Sequence, residues 1–488
     1  MKTQFVPLVL FRWLLILSLA TISPTARAQE RSYGLIFDDE GYLRLPPKPP
    51  VVTQRALRNL PTRVSYESYC PRPADQGPYS TCLAFALGYY FRTIMEAKRA
   101  GLTDPARITA MAFSPAYLYE AAKRPGDPYC RNGLRLDEAV QVLIEQGIVP
   151  LRSLTYPACG RSTGALQPQA RPYRLAESQR IVSQHDSPAE KVSRLKNALA
   201  EGLPIVVSVQ PTRSFETLQS DLWQPVSKEP SKSSGHAVCV LGYDDTKYGG
   251  AFRVVNSWGT DWGQGGFCWI RYDDLAATTR YAVQLFPDLN AGATYRMEGL
   301  QADVSFEQPG QGAMPLRLDE ASTQAAGLLV YRMQQPYPSQ TEFRFFVNNN
   351  RQAYIYALGT DDRLGSDLTK LFPYAESDDA SGKVIEYSPL LAANTTVVLP
   401  PTGRIQLDST PGTDYLLLLF SEKQLNVPAL EKQFQTDAAL PVLERLRRVG
   451  GTGIPPARMQ YERQEARFRV NPDATGGVVP VLVLIEHR

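Results

Sequence analysis

Histidine is nearly missing from this chain, with 3 in 488 residues, at positions 185, 236 and 487. Cysteine is limited to 6, and none follows Cys268. No pair of cysteines and no pair of histidines stands at ligand spacing, so no metal centre or other cofactor is expected. Charge of one sign is lacking too: 52 basic against 49 acidic residues leave +3. That balance excludes the basic surplus that marks a nucleic-acid or anionic-membrane partner. Beyond the first 28 residues no apolar run is long enough to cross a bilayer, so no membrane span is expected once they are removed.

Those first residues read as a secretory signal. Lys2 supplies the charge, residues 5–20 are largely apolar, and Ala26-Arg27-Ala28 fits a small-x-small cleavage site. Arg12 interrupts the apolar run, which argues against a retained anchor, and no cysteine follows that could carry a lipid. The expectation is an exported protein, periplasmic or extracellular. Residues 29–59 form a short polar leader with an extended proline-rich stretch, Leu45-Pro46-Pro47-Lys48-Pro49-Pro50. The length that remains suits two domains, 60–288 and 295–488, with a linker over 288–294.

Cysteine chemistry is concentrated at Cys82. Asp75-Gln76-Gly77-Pro78 reads as a turn, and Leu83, Phe85, Ala86, Tyr89, Tyr90 and Ile94 recur at helical spacing behind the cysteine. Ser80 or Thr81 is expected to cap this helix, which places Cys82 at its start. A helix N-terminus stabilises an anion, so the thiol is expected to shift toward thiolate, the nucleophilic form. Downstream, Gly235-His236-Ala237-Val238 opens an apolar strand, and Val254-Val255-Asn256-Ser257-Trp258-Gly259 ends another. Cysteine, histidine and asparagine, each at the edge of a regular element, are the makeup of a thiol-dependent acyl-transfer site. His185 and His487 lack such context and are expected at the surface.

In these residues the chain resembles the papain-like cysteine peptidases. Gln76 stands six positions before Cys82, as the family's oxyanion glutamine stands before its nucleophile. His236 follows a glycine, and Asn256-Ser257-Trp258-Gly259 matches the family's asparagine motif. The resemblance implies an α+β, two-lobed fold, with a helical lobe facing a barrel-like sheet lobe. It also implies roles: Cys82 as nucleophile, His236 as base, Asn256 as its orienter, Gln76 as oxyanion donor and Trp258 as shield of the imidazole bond. Gly133 would belong to the wall that binds substrate backbone, so Gly133 and Trp258 are the substrate-binding candidates. A Cys130–Cys159 disulfide is implied likewise, while Cys239 and Cys268 read as small buried hydrophobes and Cys70 has no assigned partner. The chain departs from the pattern at Leu83, where papain has tryptophan, and at Tyr79, where many members have a cysteine. The leader leaves no room for the family's longer helical propeptide, but a short segment lying in the cleft fits its length.

Residues 295–488 change in texture. Short strands at 342–347, 353–358, 395–399, 415–420 and 477–485 alternate with Asn, Asp, Gly and Pro turns, and a helical stretch at 429–449 breaks at Pro441. The pattern suggests a β-rich, sandwich-like accessory domain, similar to an uncharacterised bacterial module appended to peptidases, and its expected role is binding a surface or a protein partner. The function expected of the whole is endopeptidase action on peptide or protein substrates. A transpeptidase or amidase on the same fold, or a binding protein on a peptidase scaffold, are the alternatives.

Overall fold

The computed structural model describes residues 32–49, 60–226, 235–289, 299–363, 367–378, 383–401, 403–451, 453–474 and 477–488. The expected signal stretch 1–28 and most of the expected linker lie outside the described residues. No helix among them is long and apolar enough to cross a membrane.

The first domain is built on one helix. It starts at Cys82–Ala84, widens into a π-helical run at Phe85–Arg92, and returns to α-helix at Thr93–Arg99. The apolar residues that recur at helical spacing lie in a stretch, residues 82–97, that is buried throughout. Apolar side chains on every side suit a helix sunk in a core. Its one buried ion pair, Arg92 with Glu96 at 2.6 Å, lies a turn apart on one face. Helices Pro115–Ala122 and Leu136–Glu145 pack beside it. The Ser114 hydroxyl caps the first of these by accepting the Tyr117 N–H.

Facing this lobe, eight strands among the described residues make one curved sheet. Strand His236–Asp244 lies near its middle, antiparallel to Ile205–Val209 and to Ala251–Val255. Its residues are buried almost throughout, which explains its continuous apolar sequence. The pairing of Cys239 with Val255 brings the start of one strand beside the end of the next. His236 and Asn256, 20 residues apart, thereby become neighbours.

The second domain has its own core. Strands Glu342–Asn349, Gln301–Gln308 and Thr395–Leu399 belong to one seven-stranded sheet; Ala353–Asp361, Gly412–Ser421 and Val478–His487 belong to another. Phe343, Phe345 and Val347 alternate inward against Leu416, Leu418 and Phe420 of the facing sheet. The second sheet is covered on its outer face as well, by helices Val427–Thr436 and Val442–Val449 through Phe434, Leu446 and Val449. Two covered faces account for the unbroken apolar run Tyr415–Phe420, and the helical stretch splits at Pro441. The fold class is therefore α+β, with a papain-like two-lobed domain followed by a β-rich one.

Burial corrects one expectation. His487 is not at the surface: it is 4% exposed, its Nδ1 lies 3.0 Å from the Ser339 hydroxyl, and its Nε2 lies 3.7 Å from Asp414. The strand that ends the chain pairs His487 with Gly412 inside the second sheet, which sequence position alone does not reveal.

Candidate active site

The loop ahead of the central helix is fixed before the cysteine is reached. Gly77 takes a left-handed φ of 61°, and its N–H donates to the Asp75 carboxylate at 2.8 Å. The Gln76 N–H donates to Ser257 O at 2.8 Å, and the Gly259 N–H donates to Ala74 O at 3.1 Å. From the helix, the Tyr90 hydroxyl donates to Asn256 O at 2.7 Å. The loop bearing Gln76 and the loop bearing Asn256 are thus bolted to each other across the lobes.

Cys82 is the first residue of the helix, with Thr81 at the cap position. Neither Thr81 nor Ser80 caps it with a side chain: the Thr81 hydroxyl is instead 2.8 Å from the Tyr156 hydroxyl. Cys82 Sγ accepts the Ala237 N–H at 3.4 Å, so the strand carrying His236 touches the thiol. His236 Nε2 lies 2.7 Å from Asn256 Oδ1, which also accepts the Ser257 N–H at 2.7 Å. An oxygen that accepts both bonds assigns the proton to Nε2 and leaves Nδ1 as the basic nitrogen. Trp258 stacks on the imidazole with centroids 4.4 Å apart and is itself buried. Gln76 Oε1 accepts the Ser257 hydroxyl at 2.6 Å, which turns the Nε2 donor toward the cleft.

A segment of the leader fills that cleft. Leu35 and Gly235 exchange backbone hydrogen bonds, both at 3.1 Å, and the Leu134 N–H donates to Gly34 O at 2.8 Å. Gly34 N–H donates to Cys82 Sγ at 3.1 Å, while Gln76 Nε2 donates to Ser32 O at 3.0 Å. Tyr33 sets its ring edge toward both His236 and Trp258, and its hydroxyl bonds Glu216. Gly133, with φ of 80°, lets the leader lie close: a Cβ there would come 2.8 Å from Gly34 O. The six residues Gln76, Cys82, Gly133, His236, Asn256 and Trp258 therefore gather around one short stretch of chain. Sequence reading assigned no role to Ser32, Tyr33, Gly34, Glu216 or Ser257. The one signal for the leader was the apolar island Tyr33-Gly34-Leu35-Ile36-Phe37 in a polar stretch.

Burial also reverses the expected titration of the thiol. Burial pushes Cys82 up to about 11, although N–H groups of Ala237, Gly34, Leu83 and Leu35 pull it down. Desolvation of a covered thiol outweighs the helix terminus and its donors. The Cys130–Cys159 disulfide, with Cα atoms 5.6 Å apart, staples the loop before Gly133 to the loop after Tyr156. Cys70, Cys239 and Cys268 are free and buried. The one metal-type cluster among the described residues, Glu120 with Cys130 and Cys159, is this disulfide and a neighbouring carboxylate.

A helical lobe and a curved sheet lobe that meet at a cysteine and a histidine define a papain-like domain. Residues 93–283 match the sequence model of the papain family cysteine proteases, so this domain is of the papain-family cysteine peptidase class. The chain is 23% identical over 258 residues to the cysteine endopeptidase Rep1 of Oryza sativa, covering 50% of this chain and 64% of that protein. It is 26% identical over 214 residues to a cathepsin L-like proteinase of Fasciola hepatica, covering 43% and 60%. The chain thus spans less than two thirds of these curated relatives. Among solved structures it resembles xylellain, a cysteine protease from Xylella fastidiosa, with 21% identity, a TM-score of 0.42, and coverage of 53% of this chain and 96% of that one.

Proposed function

We propose that the chain is an exported thiol endopeptidase whose cleft is held closed by its own leader. The observation that carries this reading is the contact of Cys82 Sγ with the His236 strand, together with the 2.7 Å bond from His236 to Asn256. In the open enzyme the Cys82 proton passes to His236 Nδ1, and the thiolate attacks a peptide carbonyl carbon. The oxyanion takes hydrogen bonds from Gln76 Nε2 and the Cys82 N–H, where one such donor contributes about 3 kcal/mol. His236 returns the proton to the departing amine, then activates water to hydrolyse the thioester. Asn256 holds the tautomer throughout, and Trp258 keeps water from the bond between them. In the leader-bound state Gln76 is occupied by Ser32 O, and the thiol meets the N–H of Gly34, which is no electrophile.

Export is supported by the N-terminal signal pattern and by the Cys130–Cys159 disulfide, a bond that persists in oxidising compartments. The β-rich domain is read as a binding module for a surface or a protein. The test is alkylation by a peptidyl epoxide followed by mass mapping, on protein with the leader removed. Modification at Cys82, abolished by His236→Ala, is the expected result. Modification spread over Cys70, Cys239 and Cys268, or unchanged in the His236 variant, overturns it.

A further inference from the structure

After the cleft, the leader turns through helix Asp39–Arg44 and runs along the edge strand Leu175–Arg180. The Lys48 N–H donates to Arg180 O at 2.9 Å, and the Arg180 N–H donates to Pro46 O at 2.9 Å. The second domain joins here: the Ser388 N–H donates to Pro47 O at 3.3 Å, and Gln179 Nε2 donates to Leu390 O at 2.7 Å. Between the leader and the second domain lies a cavity of about 810 Å³. That is the size of a ligand site. Pro46 and Pro47 line one side; Tyr356, Pro389, Val427 and Pro428 line the other. Proline has no N–H, so its faces of the wall offer apolar surface and carbonyl acceptors.

Glu177 is the charge this cavity leaves unanswered. Its carboxylate accepts the Ser388 hydroxyl and, at 3.2 Å, the Gln179 amide. The other charges of the lining are paired, Lys370 with Glu386 and Arg44 with Asp137. Tyr354 and Tyr356 of the second domain face it as neutral phenols, and Tyr387 donates to Glu376 at 3.0 Å. Among the described residues no cation pairs with Glu177. Burial without a counter-ion pushes it up to about 7.

We propose that this cavity binds a peptide segment carrying an arginine or lysine between apolar residues, with the cation on the Glu177 carboxylate and the apolar neighbours on the proline and tyrosine walls. A ligand there supplies the counter-ion that the described residues do not. It also touches leader residues Leu43–Pro47 directly. The site does not depend on the peptidase reading. The test is calorimetry on the full chain bearing Cys82→Ala, which cannot turn the probe over whatever the role of that cysteine. The probes are N-acetyl-Leu-Arg-Pro-amide and the same peptide with neutral citrulline in place of arginine. At about pH 8 the arginine peptide is expected to bind roughly tenfold tighter or more, as a charge-assisted bond requires. The advantage disappears below about pH 6, where Glu177 is protonated, and in Glu177→Gln. Equal affinity for both peptides, no binding of either, or an arginine preference that survives Glu177→Gln overturns the proposal. The pH series on the chain with Glu177 intact makes the distinction even if the Glu177 variant folds poorly.

Discussion

At the scale of single residues, Gly34 decides whether the leader can lie on the thiol. An added Cβ at that position would come 2.1 Å from Ser80 O, a backbone atom that cannot swing aside. The same backbone supplies the Gly34 N–H that reaches Cys82 Sγ. Overpacking of this kind costs roughly 1–3 kcal/mol. The cost falls on the leader-bound state alone, because the open state has no such contact. Gly34→Val is therefore expected to speed alkylation of Cys82 in the intact chain by roughly 5- to 150-fold, the factor that free energy sets. A labelling rate unchanged from that of the unsubstituted chain would show that the leader is not what covers the thiol.

At the scale of elements, the leader enters the cleft as a short strand, Leu35–Ile36, ahead of the helix Asp39–Arg44. Its two-residue pairing Leu35–Ile36 with Leu134–Arg135 is too small to stand alone. What holds it is the flanking anchors: Asp38 to Arg135 at 2.7 Å, the Tyr42 hydroxyl to Val182 O at 2.8 Å, and the enclosed pair Lys48 with Glu201 at 2.5 Å. Deleting residues 29–49 should return water to Cys82 while leaving the helix terminus and the Ala237 donor in place. The thiol, now pushed up to about 11, is expected to fall below the ordinary cysteine value. Thiolate forms as pH rises, so the midpoint of the alkylation rate against pH should move to lower pH on deletion. A midpoint that stays put would mean that the leader does not cause the shift. This explains which parts of the site were legible in sequence. Cys82, His236 and Asn256 each sit at the end of one element, so local pattern exposed them. Beyond its length and the apolar island at residues 33–37, nothing in the leader marked its course, because Gly34 is demanded by Ser80, 46 residues away in sequence and adjacent only in the fold. His487 was misread for the same reason, since its burial comes from strands far from it in the chain.

At the scale of the whole molecule, the two domains share more than a linker. Phe286, the penultimate residue of a peptidase-domain strand, packs into the outer core of the second domain with Tyr354 and Leu419. Gln179 binds Ser388 Oγ at 2.9 Å across the same seam, and Glu177 lies beside it. Burial raises Glu177 from the usual carboxylate range to about 7, despite the donors Ser388 and Gln179. A group whose folded pKa lies above its unfolded value stabilises the fold fully below the unfolded value, and that stability is lost as pH rises through the folded one. The window here runs from about 4.5 to about 7. The contribution is at most about 3 kcal/mol, and less to the extent that water enters the adjoining cavity. Removing the charge removes the dependence, so Glu177→Gln should flatten the fall in Tm between pH 5 and pH 8 and raise the value at pH 8. The comparison is a pair of calorimetric melts at each pH, on chain that carries Cys82→Ala so that self-cleavage cannot intervene. If the unsubstituted chain loses no more stability over that window than the glutamine variant, the Glu177 carboxyl is ionised and solvated in the fold, and the seam is not sensitive to pH through it.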